Sequence, residues 1–275
     1  MGIVSSYPFV PALPDAYRGR DMPPVLDLSA RPGGAPSALL DQVDAVAADA
    51  MPDVAGAVAL WRAWRLDGPG SRRRVFVLQT DSSVADPRGV AGLLTSLLDP
   101  DGAAGTDVAV YRAGEHPDPA ALAARNASAL LWAAEPGGDL AVARVFDAVD
   151  PVTGPRFDDD HEWLGHPGEG SVRDTVQRYL DDGVLLLGST DLMGDVIAPQ
   201  LGPVVPMSFR TDGRWIWTDT VAYYVREYGL APDARLLDHI QERQVMVPAL
   251  VSDVARHRAL ATLFRPAGAE PVWRA

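Results

Sequence analysis

Large apolar and aromatic residues are densest between Val204 and Tyr228, in the run VVPMSFRTDGRWIWTDTVAYYVREY. Roughly alternating positions from Val204 to Arg210 meet Asp212-Gly213, and Trp215, Ile216 and Trp217 follow. Alternation on both sides of an Asp-Gly pair predicts a β-hairpin. Pro206 cannot donate to a strand ladder, which places the first strand at a sheet edge. A two- or four-residue loop sets Arg210 opposite Trp215 and Ser208 opposite Trp217. Alternation then gives one face to Met207, Phe209 and Ile216, and the other to Ser208, Arg210, Trp215 and Trp217. The first is a core face. The second, two indoles beside a cation and a hydroxyl, is the candidate binding face; the competing reading has the following helix fold back over both tryptophans. Thr218 or Asp219 caps that helix, Val221, Tyr224, Val225 and Tyr228 form its apolar face, and Gly229 ends it.

Upstream, residues 1–36 are rich in Pro and Gly and predict an extended surface arm, with one short strand at Val25–Leu28. From Ser37 the periodicity alternates between helical and strand-like. A helix capped by Ser37 runs to Ala48, and strands at Val54–Trp64 and Val75–Thr80 form a long hairpin. A helix from Asp86 or Pro87 to Leu98, a strand at Asp107–Tyr111, a helix at Pro117–Arg125 and a strand at Ser128–Trp132 complete the series. Glu135 to Asp139 is a turn-rich boundary. Beyond it come a strand-like Leu140–Phe146, a turn-rich Asp150–Pro155, and a helix at Val172–Leu180 with Val172, Val176 and Tyr179 inward. Val184–Leu187 is an apolar run of buried-strand length. Helices from Pro232 or Asp233 (core face Leu236, Leu237, Ile240) and from Pro248 (face Leu250, Val254, His257, Ala261, Phe264) end the chain.

These elements predict an α/β (α+β) chain of two small mixed-sheet layers with packed helices, the C-terminal half the more helical. The domains expected are an arm over 1–36, an α/β domain over 37–135, and an α+β domain over 136–275. Over 37–132, the helix carrying Ala38-Leu39-Leu40-Asp41 and the strands Val54–Leu60, Val75-Phe76-Val77-Leu78 and Asp107-Val108-Ala109-Val110-Tyr111 resemble the C-terminal domain of SseB-family proteins. The resemblance lies in the order of elements, covers about a third of the chain, and implies a non-enzymatic binding or accessory module.

Composition narrows the chemistry. With 47% hydrophobic residues in 275, the chain is globular. Cysteine is absent and all 24 basic residues are Arg, which removes thiolate, disulfide and Schiff-base chemistry and points to a reducing cytoplasm. A formal charge of −13 disfavours nucleic acid and anionic lipid and suits a basic protein partner. No run has the length of a membrane span.

Candidate catalytic positions are sparse. Asp158, Asp160, His161, Glu162 and His166 supply ligand types for a metal. The two histidines are five apart, however, and Gly165 and Pro167 break any helix, so the zinc-protease spacing fails. Alternate acids with a turn glycine, the calcium-loop pattern, are also missing. Val184–Asp191 ends in Gly-Ser-Thr, a possible anion loop without the glycine spacing of a phosphate loop. No Ser occupies a G-x-S-x-G elbow. Arg72-Arg73-Arg74 precedes a strand, where side chains alternate.

The expectation is a non-catalytic, cytoplasmic bacterial protein-binding protein of accessory or immunity type, with Ser208, Arg210, Trp215 and Trp217 as its contact and no cofactor. The alternative is a metal-dependent hydrolase built on Asp158–His166.

Overall fold

A computed structural model describes residues 8–29, 39–68, 71–102, 105–168, 170–243 and 251–265. The fold is α+β, and the chain divides between Gly137 and Gly138 into two compact units.

The first unit holds β1 (Phe9–Val10), β2 (Leu26–Asp27), α1 (Gln42–Ala50), β3 (Ala57–Gly68), β4 (Ser71–Thr80), α2 (Pro87–Leu98), β5 (Thr106–Arg112), α3 (Pro119–Asn126) and β6 (Ala129–Ala133). Strands β3 and β4 form the long antiparallel hairpin expected, with Trp61 opposite Val77. The sheet order is β2-β6-β3-β4-β5, and β1 pairs with the far end of β3. Leu60, Phe76 and Leu78 pack with Ala47, Leu94 and Leu98 of α1 and α2. By alternation Trp61 and Val77 lie on the opposite face, and α3 packs against β3 and β4.

Two expectations change here. Residues 8–29 are not a surface arm: Phe9, Val10, Tyr17, Val25, Leu26 and Leu28 are buried, and β1 and β2 extend the sheet. A Pro-rich composition reports turns but not what the intervening apolar residues cover. Helix α1 starts later than its periodicity suggests, because Asp41 is the cap and its Oδ1 accepts from the N–H groups of Val43 and Asp44. Ser37, Ala38 and residues 30–36 lie outside the described residues.

A buried ionic cluster ties this unit together. Arg62, 1% exposed, donates from Nε to Asp44 Oδ2 at 3.1 Å, from Nη2 to the Leu39 carbonyl at 2.6 Å, and from Nη1 to the Pro11 carbonyl. Arg74 pairs with Asp41, lies 3.7 Å from Asp44, and stacks its guanidinium 4.6 Å from the Trp64 ring centre. The Arg72–Arg74 run is thus split by strand alternation: Arg74 goes into the core, and Arg73 pairs with Asp107.

The second unit contains β7 (Ala141–Val142), β8 (Ala148–Asp150), β9 (Gly154–Arg156), α4 (Val172–Asp182), β10 (Val184–Leu187), β11 (Leu192–Gly194), β12 (Pro203–Pro206), β13 (Phe209–Thr211), β14 (Trp215–Thr218), α5 (Asp219–Tyr228), α6 (Ala234–Glu242) and α7 (Asp253–Leu263). Its main sheet runs β10-β13-β14-β7, with β8-β9 and β11-β12 as separate hairpins. Helix α5 has the expected bounds, and Gly229 ends it at φ 71, a left-handed conformation that costs glycine little.

Three local expectations are corrected. Val204–Arg210 is two strands, broken at Met207-Ser208, and Pro206 ends the one that pairs with β11. Val184–Leu187 is an edge strand with Leu185 and Leu187 exposed, rather than a buried one. Val172 is exposed, whereas Val176 and Tyr179 are buried as expected and Leu180 joins them. Pro248 and Leu250 lie outside the described residues.

Candidate functional site

The hairpin register differs from expectation by two residues, and its faces do not. Arg210 lies opposite Trp217 and Thr211 opposite Ile216. The loop is set by Asp212, whose Oδ1 accepts from Arg214 N–H at 2.8 Å and Trp215 N–H at 2.6 Å, which leaves Gly213 at φ 90 as the first central residue. A shift of two preserves alternation. Phe209 and Ile216 accordingly join one apolar cluster with Leu186 and Ala259, whereas Trp215 and Trp217 join another.

The expected binding face is therefore interior. Trp217 is 0% exposed and Trp215 8%, packed with Val176, Leu180, Val221, Leu236 and Ile240 of α4, α5 and α6. Trp217 Nε1 donates to the Leu180 carbonyl at 3.2 Å. Arg210 closes the end of α4, donating to the Asp181 and Gly183 carbonyls at 3.0 and 2.8 Å and pairing with Asp219 at 2.6 Å. Ser208 holds the 188–191 loop, since its Oγ accepts from Ser189 N–H at 3.1 Å. The Ser189 hydroxyl accepts from Asp191 N–H at 3.0 Å, so part of the donor set an anion would need is already used.

Gly183 makes the indole's position possible. A β-carbon there would stand 2.2 Å from Trp217 Cζ2 and 2.8 Å from Cη2, while its φ of −57 suits any residue. Gly183→Ala is expected to destabilise the protein by about 1–3 kcal/mol through overpacking. Urea unfolding followed by tryptophan fluorescence reads this; an unchanged midpoint would show that the indole yields freely.

The five metal candidates do not converge. Among the described residues no group of three or more His, Cys, Asp or Glu is placed to hold a metal ion. His161 is turned inward, its Nδ1 2.8 Å from Asp147 Oδ2 and its Nε2 2.9 Å from the Ala231 carbonyl. Asp158 pairs with Arg156 and gives its N–H to Asp147. His166 packs edge-on against the Trp163 ring. Asp160, Glu162 and His166 are exposed, and the Asp160 and Glu162 carboxylates make no hydrogen bond or ion pair among the described residues. Spacing alone did not reveal that His161 has structural partners on both nitrogens.

Three aspartates anchor the unit. Asp212 Oδ2 accepts from Tyr179 Oη at 2.6 Å and lies 2.6 Å from His239 Nε2, joining the hairpin loop to α4 and α6. Asp195 Oδ2 receives the hydroxyls of Tyr223, at 2.9 Å, and Tyr228, and its Oδ1 receives the N–H groups of Ile197 and Ala198. Burial drives each of Asp147, Asp195 and Asp212 upward, but the donors around them outweigh it and hold all three below the usual carboxylate range. Burial first, and then the carboxylate, push Tyr223 up to about 12. Both networks join separate elements of the unit and serve as struts.

The second unit holds a cavity of about 310 Å³, within the usual range for ligand sites. Val145, Phe146, Met193, Met207, Phe209 and Trp217 line it, and Val149 is half exposed at its wall. Thr218 also lines it, and its buried Oγ1 has no hydrogen-bond partner among the described residues; leaving such a group unpaired costs about 1–3 kcal/mol. Arg144–Phe146 also line a neighbouring basin of about 220 Å³ bearing Asp147, Asp158, Asp160, Glu162 and Asp233. Arg144 is committed within it, its Nε 3.1 Å from Asp233 Oδ2. No sequence signal marks this site, because its wall is assembled from five separated segments. No helix among the described residues is long and apolar enough to cross a membrane. No family model, curated protein or solved structure matches the chain.

Proposed function

We propose that this chain acts by binding another protein of basic character, in an accessory or immunity-type role in a bacterial cytoplasm, the kind of role the SseB resemblance implies. The contact is the cavity of the second unit, with Trp217 in its wall, together with its acidic basin, and not an exposed indole face of the hairpin. One observation carries the reading: an apolar cavity shares the wall Arg144–Phe146 with a basin of five carboxylates set against one arginine and one histidine. Apolar anchors in pockets dominate protein interfaces, and surrounding charge steers and selects the partner. The −13 net charge extends that steering field over the molecule.

Selection of a displayed random-peptide library on the immobilised protein tests this. The expected outcome is enrichment of basic sequences that bind the native chain and lose roughly tenfold or more affinity for Val149→Arg. Val149 is about half exposed, so the substitution adds a cation at the cavity without emptying a core. Enriched peptides that bind Val149→Arg equally well, or no enrichment at all, would contradict the proposal.

A further inference from the structure

We infer that the cavity receives a bulky apolar side chain which the partner presents directly beside an arginine or lysine, so that recognition is two-point. This deepens the protein-binding reading and rests on it. The cavity, at about 310 Å³, is about twice the size of an engineered cavity of roughly 150 Å³ that admits benzene, so a leucine or aromatic side chain fits. Met193 and Met207, on separate wall segments, are unbranched and polarisable, and they adapt to either shape.

Charge complementarity selects the neighbour. Of the five basin carboxylates, Asp147 is held by His161 and the Asp158 N–H, Asp158 by Arg156, and Asp233 by Arg144. Asp160 and Glu162 are exposed and make no side-chain hydrogen bond or ion pair among the described residues. An incoming cation meets these two carboxylates. An incoming anion meets them as repulsion, and the arginine that would receive it is already paired with Asp233. Because the basin and cavity share Arg144–Phe146, the apolar and cationic groups must be adjacent on the partner.

The test titrates capped dipeptide amides (Leu-Arg, Leu-citrulline, Leu-Glu and Ala-Arg) and a free alkylamine into the full chain carrying isotope-labelled methionine methyl groups. Met193→Leu and Met207→Leu assign the two cavity signals. Leu-Arg is expected to shift both signals, to bind roughly tenfold more tightly than Leu-citrulline or Ala-Arg, and to weaken with added salt. Asp160→Asn with Glu162→Gln, both isosteric surface changes, is expected to erase the preference for Arg over citrulline and to keep the weaker apolar binding. Equal binding of Leu-Arg and Leu-citrulline would overturn the two-point inference and leave the cavity as an apolar site. An alkylamine matching Leu-Arg would overturn the peptide partner in favour of a small amphipathic cation. If no dipeptide shifts the cavity methyls while library peptides still bind, the inference fails and the binding-protein reading stands. Failure of both removes both.

Discussion

Asp212→Ala is expected to cost the second unit about 3–5 kcal/mol, the scale of removing one partner from a buried charged network. The side chain of Asp212 is 0% exposed. Its two oxygens satisfy the Tyr179 hydroxyl, the His239 ring and two loop N–H groups, with Arg243 3.9 Å away. Alanine would leave these donors buried and unmet, and would release the loop that sets the hairpin register. Trp215 and Trp217 adjoin the lesion, so tryptophan fluorescence during urea unfolding reports it. A loss below about 1 kcal/mol, the worth of an ordinary hydrogen bond, would show that Asp212 is no strut.

The same geometry predicts a pH dependence. Asp147, Asp195 and Asp212 are held below the usual range in the folded protein, so the unfolded chain binds their protons more readily. Their stabilisation is complete well above the unfolded value of about 3.9 and is lost as pH falls through it towards the folded values. The second unit should therefore lose this stabilisation as pH falls below about 5. Asp212→Asn should flatten part of that loss.

Asp44→Ala is the second large effect, expected at about 3–5 kcal/mol in the first unit. It strands Arg62, whose side chain is 1% exposed, and weakens the hold on Arg74, 8% exposed. Replacing Arg62 and Asp44 together by leucine, a swap that is near neutral for an isolated buried pair, should fail to rescue. The Leu39 and Pro11 carbonyls would lose their donor, each at about 1–3 kcal/mol. Urea midpoints of the single and double variants decide this. A double variant as stable as the native chain would show the pair to be an isolated one.

Much of the element order was legible in the pattern of residues, and the reasons differ by element. Helix α5 was readable because both its ends are local, with Thr218 at the N-cap position and Gly229 at the end, although neither Thr218 nor Asp219 caps it through its side chain. The β3–β4 hairpin was readable because alternation and apolar runs are also local. The hairpin faces survived although the register did not, since a shift of two is invisible to alternation and the loop is decided by the Asp212 carboxylate. Burial of Trp215 and Trp217 involves α5, the following helix that the sequence offered as a cover, but also α4 and α6, whose part is a tertiary fact. The Pro-rich start hid β1 and the burial of the segment, though not the short strand at Val25–Leu28, because its apolar residues only acquire meaning once β3 and β6 are beside them. The candidate site was not legible at all: Phe146, Met193, Met207 and Trp217 share no spacing, and an acidic loop at Asp158–Glu162 reads the same whether or not a cavity adjoins it.

The most direct test of the central claim is amide hydrogen exchange of the full chain with and without the peptides enriched from the library. Slowed exchange confined to 142–149, 158–162 and 205–209 is the result expected of a partner seated in the cavity and across the acidic basin. Protection elsewhere, with those three segments unchanged, would contradict it and move the contact to another surface of the protein.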